Sequence, residues 1–141
     1  LKAIAQIAIK DKREQNETVD RLLAEFTLQD VRNILAQNLS GGQKKKLVIA
    51  RALINKPRIL LMDEIFAAVD PITIENIKKI IVNLQVNKNI SILITDHAFD
   101  NVLQISDKIF IISDGQIVSS GKPQDIIRDE NARQVYFGET Y

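Results

Sequence analysis

Two short apolar runs, Arg58 to Met62 and Ser91 to Thr95, are separated by a stretch in which Ile74, Ile77, Ile81 and Leu84 recur at helical spacing. A strand with no polar face has nothing to give to water, so such runs belong to a sheet covered on both sides. Strand, helix and strand in that order are the pattern of an α/β fold with a largely parallel sheet. The intervening helix has a clear start: Asp70 can accept a backbone N–H as the cap, and Pro71 suits the first turn. It is expected to run to about Val86, with 58–62 as the covered centre of the sheet.

The remaining elements follow from the same periodicities. Val19, Leu22, Leu23 and Phe26 mark an amphipathic helix over Glu17 to Phe26, preceded by a polar, mobile stretch from Lys10 to Asn16. A second helix is expected from Gly42 or Gln43 to Ile54. Leu47, Ala50 and Ile54 share one face, and Val48, Ile49 and Leu53 broaden it enough to imply burial on several sides. Asn55-Lys56-Pro57 stops it. Phe99, Val102 and Leu103 indicate a short helix after the second strand. Asp114-Gly115 is a two-residue hairpin signal between strands at Lys108 to Ser113 and Gln116 to Ser119, and short helices are expected over Pro123 to Arg128 and Asn131 to Tyr136.

Lys and Arg number 19 against 18 Asp and Glu, a net charge of +1, so no overall field recruits nucleic acid or an anionic membrane. The absence of cysteine excludes a disulfide framework and thiolate metal sites. No apolar run approaches the ~20 residues that cross a bilayer. Interaction sites must therefore be sought locally. The strongest candidates are the turn Leu39-Ser40-Gly41-Gly42-Gln43 and the acidic pair Asp63-Glu64 that ends the first strand. A glycine turn leading into a helix presents backbone N–H groups and the positive end of the helix dipole to an anion. Lys44-Lys45-Lys46 place cations in that same first turn, which costs ~0.3–1 kcal/mol each unless an anion lies opposite; a solvated basic face is the competing reading. Asp63 and Glu64 could serve a metal and a water, or could merely cap a strand with solvated charge. His97, the one histidine, could act at the second strand end or be a plain surface residue.

Leu39 to Gln43, then Ile59 to Glu64, then Ala67-Ala68-Val69-Asp70-Pro71, then Ile94-Thr95-Asp96-His97, in this order and spacing, resemble the ATP-binding cassette ATPases from their signature motif to the C-terminus. The details of residues 69–81, 94–99, 114–127 and 135–141 are most similar to the ATPase subfamily of lipopolysaccharide export, with branched-chain amino-acid importer ATPases the nearest competitors. The resemblance implies a P-loop NTPase-type three-layer α/β fold. Residues 1–56 would be the remainder of a helical subdomain with the signature motif and its helix, and residues 57–141 the C-terminal part of the ATPase core. It implies ATP and Mg²⁺ as cofactors, Asp63 as the metal residue, Glu64 as the carboxylate that polarises water, and His97 as the switch histidine. Ser40, Gly41, Gly42 and Gln43 would contact the γ-phosphate held by an opposite subunit, and Asp70 would lie in the loop that communicates across that dimer. Partners would be a second ATPase subunit, head to tail, and transmembrane permease subunits, at the cytoplasmic face of the inner membrane.

Three departures stand out. Ile65 follows Glu64 where the family places proline, and Ala68 and Ala98 stand where glycine and asparagine are expected. No Gly-x-x-x-x-Gly-Lys-Ser/Thr phosphate loop occurs, the chain starts at Leu1, and its only methionine is Met62. The chain is therefore expected to be the C-terminal part of a longer ATPase, inactive alone and with apolar sheet faces uncovered. The rival expectations are a non-catalytic remnant of a split gene and a soluble cassette ATPase of DNA repair or translation.

Overall fold

A computed structural model describes residues 1–137, with Tyr136 and Phe137 described by their backbone alone. The resemblance at residues 138–141 lies outside the described residues. The chain forms two compact units, Leu1–His97 and Ala98–Tyr141, so the expected boundary between residues 56 and 57 falls inside the first.

The first unit begins with α1 (Lys2–Ala8) packed on α2 (Lys12–Glu25). Most of the stretch expected to be mobile is thus helix. The apolar period starts only at Val19, but the first turn of α2 forms without it. The Asp11 carboxylate accepts the Glu14 N–H at 2.7 Å, Gln15 donates its amide to the Ile9 carbonyl at 2.8 Å, and Arg13 pairs with Glu17 at 2.7 Å. Val19, Leu22, Leu23 and Phe26 are buried as expected.

After two short 3₁₀ turns comes α3 (Gly41–Leu53), which buries Ile49, Ala50, Leu53 and the following Ile54. Val48 is half exposed, so the apolar surface is narrower than its sequence suggests. Strand β1 (Ile59–Asp63) leads through a turn to α4 (Pro71–Lys88), which ends at Asn89 in the left-handed conformation and delivers β2 (Ser91–Thr95) alongside β1. Lys88, in the last turn of α4, pairs with Glu25 of α2.

β1 and β2 pair in parallel, Ile59 opposite Ser91 and Asp63 opposite Thr95. This is the expected strand–helix–strand unit with one correction. Leu60 and Met62 are buried, whereas Ile59 is 65% and Leu61 71% exposed, and Leu93 on β2 is 55% exposed. One face of the sheet packs and the other is open. A run of continuous apolarity records that both faces want cover, not that both have it within this chain.

In the second unit α5 (Phe99–Leu103) is followed by an antiparallel hairpin of β3 (Ile109–Ser113) and β4 (Gln116–Gly121). Asp114 and Gly115 both take positive φ, 50° and 75°, as the two-residue turn requires. Short helices α6 (Pro123–Ile126) and α7 (Glu130–Phe137) complete it, with Ile109, Ile111, Ile126 and Ala132 as its buried centre. Asp129 accepts the Ala132 N–H, which, with the Ser119 hydroxyl, holds its carboxyl below the usual range. No helix among the described residues is long and apolar enough to cross a membrane.

Asp11 tests why α2 starts where it does. Asp11→Ala should lower stability by about 1 kcal/mol and fray the helix back towards Glu17, read as a lower thermal midpoint and faster amide exchange at Glu14 and Gln15.

Candidate functional site

Parallel strands put their carboxyl ends on one edge of the sheet, the place where α/β proteins bind ligands. In register, that edge carries Asp63-Glu64 beside Thr95-Asp96-His97. Three hydrogen bonds sew the two strand ends together. The Thr95 hydroxyl donates to the Asp63 carboxylate, the Glu64 N–H donates to the Thr95 carbonyl at 2.7 Å, and the Phe66 N–H donates to the Asp96 carboxylate at 2.9 Å. Asp63, Glu64 and His97 remain exposed at this edge.

Glu64 does not continue the strand. Its φ is +47°, in the left-handed region, so the alternation of faces that holds along β1 stops at Asp63. Glu64 therefore turns away from the strand instead of extending it. With Ile65 where the resemblance leads one to expect proline, the turn is held by burial: Ile65 and Phe66 are 5% and 4% exposed. Anchoring two large apolar side chains immediately after Glu64 stabilises by ~1.5–3 kcal/mol each, enough to hold one residue in a conformation costing ~1–2 kcal/mol.

The glycine turn lies against the same loop. Ser40 caps α3 in a closed box, its hydroxyl accepting the Gln43 N–H at 3.2 Å and its own N–H donating to the Gln43 side chain at 3.0 Å. Gln43 therefore works within the cap. A Cβ at Gly41 would sit 3.3 Å from the Ala68 carbonyl, and one at Gly42 would sit 2.6 Å from Thr73 Cγ2 and 2.8 Å from Thr73 Oγ1. These glycines let the first turn of α3 pack directly on the loop from 64 to 73. The contact cannot be relieved cheaply, because Thr73 is itself tethered: its N–H donates to Asp70 at 2.9 Å and its hydroxyl to the other Asp70 oxygen at 2.5 Å. Those donors, the hydroxyl foremost, hold the Asp70 carboxyl below the usual range. Asp70 is thus the cap it was expected to be, and it also fixes the residue on which Gly42 rests.

Lys45 donates its ammonium to the Glu64 carbonyl at 2.5 Å. This contact, the Asp96 acceptor and the Thr73 buttress were not singled out by sequence reasoning. The sequence carries a signal for each: the awkward cations of Lys44 to Lys46, a second acid beside His97, and a hydroxyl three residues after a capping Asp. The structure brings Ser40, Gly41, Gly42, Gln43, Asp63, Glu64, Asp70 and His97 into one unit. Among the described residues no group of three or more His, Cys, Asp or Glu side chains is gathered for a metal ion. Asp63 alone, with one oxygen engaged by Thr95, fits Mg²⁺ held mainly by phosphate oxygens and water rather than by a protein cage.

Residues 2–67 match the ABC transporter family profile. The chain is 40% identical, over 92% of its length, to the lipopolysaccharide export system ATP-binding protein LptB of Haemophilus influenzae, of which it covers 53%. It is 38% identical over its whole length to the protein of the same description from Escherichia coli, covering 58% of that chain. Among solved structures, it resembles an ATP-binding cassette of an ABC transporter in its ADP conformation, with a TM-score of 0.80 and 30% identity over 92% of this chain and 52% of that one. The chain thus spans about half the length of the curated relatives it matches.

Two outcomes follow from the contacts around α3. Gly42→Ala should cost ~1–3 kcal/mol by overpacking against Thr73. The cost should fall when Thr73→Ala is added, leaving a coupling of at least ~0.5 kcal/mol in a double-mutant cycle of thermal unfolding. Ala68, at φ +56°, stands where glycine is expected. Ala68→Gly should therefore raise stability by up to about 1 kcal/mol, seen as a higher thermal midpoint.

Proposed function

The chain belongs to the ATP-binding cassette ATPases, and from that premise we propose that it supplies the hydrolytic and signature elements of an ATP-driven transport motor. The observation that carries the reading is the hydrogen bond from Glu64 N–H to the Thr95 carbonyl. It fixes the acidic pair and the His97 segment at one strand-end edge. Phosphoryl transfer to water calls for a metal on the β- and γ-phosphates, a group that orients water, and donors on the γ-oxygens. In this reading Asp63 helps hold Mg²⁺, which supplies charge neutralisation when bound. Glu64 polarises the attacking water, and His97 donates to a γ-oxygen. Ser40, Gly41 and Gly42, at the N-terminus of α3, meet the γ-phosphate of a nucleotide carried by an opposite subunit, and Asp70 holds the loop facing that subunit.

The transported substrate we infer is lipopolysaccharide, on the strength of the curated relatives of that description at 38–40% identity. The motor would then work as a head-to-tail pair on the cytoplasmic face of the inner membrane, docked to permease subunits. The phosphate loop would come from sequence outside residues 1–141.

The test joins residues 1–141 behind the portion of the Haemophilus influenzae relative that this chain does not match, and measures Mg-ATPase activity beside the chain alone. The joined protein should hydrolyse ATP and the chain alone should not. Glu64→Gln in the joined protein should lower kcat by at least ~10²-fold, as removal of a positioned base does. Hydrolysis that survives the substitution would overturn Glu64 as the water-polarising carboxylate, and a joined protein that folds and binds ATP yet never turns over would favour the non-catalytic reading.

A further inference from the structure

Glu64 sits in a backbone conformation that non-glycine residues rarely adopt, and its carboxylate can only aim where that backbone lets it. Two neighbours reach its carbonyl: the Ala67 N–H, at a long 3.3 Å, and the Lys45 ammonium, at 2.5 Å. The lysine is the shorter contact and carries a full charge, so it is the dominant restraint on that carbonyl. It also comes from another element, the N-terminal end of α3, across a separation of 19 residues. From the second strand end the loop is held by the Thr95 carbonyl and the Asp96 carboxylate.

We propose that Lys45 is a positioning residue for Glu64: its ammonium clasps the Glu64 carbonyl and makes the aim of the carboxylate depend on where the N-terminus of α3 sits. The proposal rests on the reading of Glu64 as the water-polarising carboxylate. Its mechanical basis is that Gly41, Gly42 and Lys45, all at the N-terminal end of α3, lean on the segment from 64 to 73, at Ala68, Thr73 and Glu64 in turn. A shift of α3 on meeting an anion at Ser40 to Gly42 therefore reaches Glu64 through Lys45 within the same chain.

The test has two readouts. In the 141-residue chain, Lys45→Met, which keeps the stem and removes the donors, should speed amide exchange at Glu64 and Ala67 by about tenfold while leaving Leu84 and Ile81 unchanged; Lys45→Arg should restore protection. In the joined ATPase, Lys45→Met should lower kcat by at least ~10-fold with KM for ATP held within about twofold, and Lys45→Arg should recover most of kcat. Lys79→Met, on an exposed face of α4, controls for loss of a positive charge. Unchanged exchange at Glu64 and Ala67 in Lys45→Met overturns the clasp. Faster exchange with an unaltered kcat overturns the positioning role and leaves a merely structural contact. Failure of the underlying reading is distinct from both: Glu64→Gln would then leave kcat intact whatever Lys45 does.

Discussion

The parallel, in-register pairing of β1 with β2 is the constraint on which the site depends. Because Asp63 lies opposite Thr95, the two turns that leave the sheet begin at the same height and on the same edge. The Glu64 N–H can then reach the Thr95 carbonyl, and Asp96 can reach the Phe66 N–H. A slip of one residue would put Asp63 opposite Ile94 or Asp96 instead of Thr95, break both bonds and send Leu60 and Met62 to the open face. The register is held by the burial of those two side chains and by α4, whose cap at Asp70 and left-handed stop at Asn89 set the length of the crossover.

The second requirement is a clasp around a strained loop. Glu64 and Ala68 both take positive φ without being glycine, at ~1–2 kcal/mol each. Such a conformation persists only when its surroundings over-determine it. Here Ile65 and Phe66 are driven into the core from within the loop, Asp96 and Thr95 hold it from the sheet, and α3 presses on it through Gly41, Gly42 and Lys45. The lysine also resolves an electrostatic oddity. A cation near the N-terminus of a helix opposes the dipole, but the Lys45 ammonium is directed at the carbonyl of a neighbouring loop, outside its own helix.

What could be read from the sequence was what is local. Asp70-Pro71 and Asp114-Gly115 act within three or four residues, and each did what its chemistry dictates. The strand–helix–strand order followed from periodicity alone, and the family resemblance rests on motifs that the fold brings into one unit. The rest needed partners distant in sequence. The start of α2 escaped because its first turn is set by a cap and polar pairs instead of an apolar stripe. The conformation of Glu64 escaped because burial of Ile65 and Phe66 and contacts from residues 45, 95 and 96 surround it, and no local pattern distinguishes an acid that extends a strand from one that turns away. Lys45 was hidden among three lysines whose individual geometry only packing decides.

The open face of the sheet is the remaining physical demand of this chain. Ile59 and Leu61 on β1 and Leu93 on β2 line it, and at its far end the same face reaches Asp63 and Thr95. Covering three such side chains is worth ~1.5–3 kcal/mol each, a total comparable with the ~5–15 kcal/mol that stabilises a whole domain. An apolar layer laid along that strip would therefore be held strongly and would end beside the Asp63 carboxylate. Stability and the site thus meet on one surface: the strip that leaves Leu61 and Leu93 exposed ends at Asp63 and Thr95, on the strand-end edge.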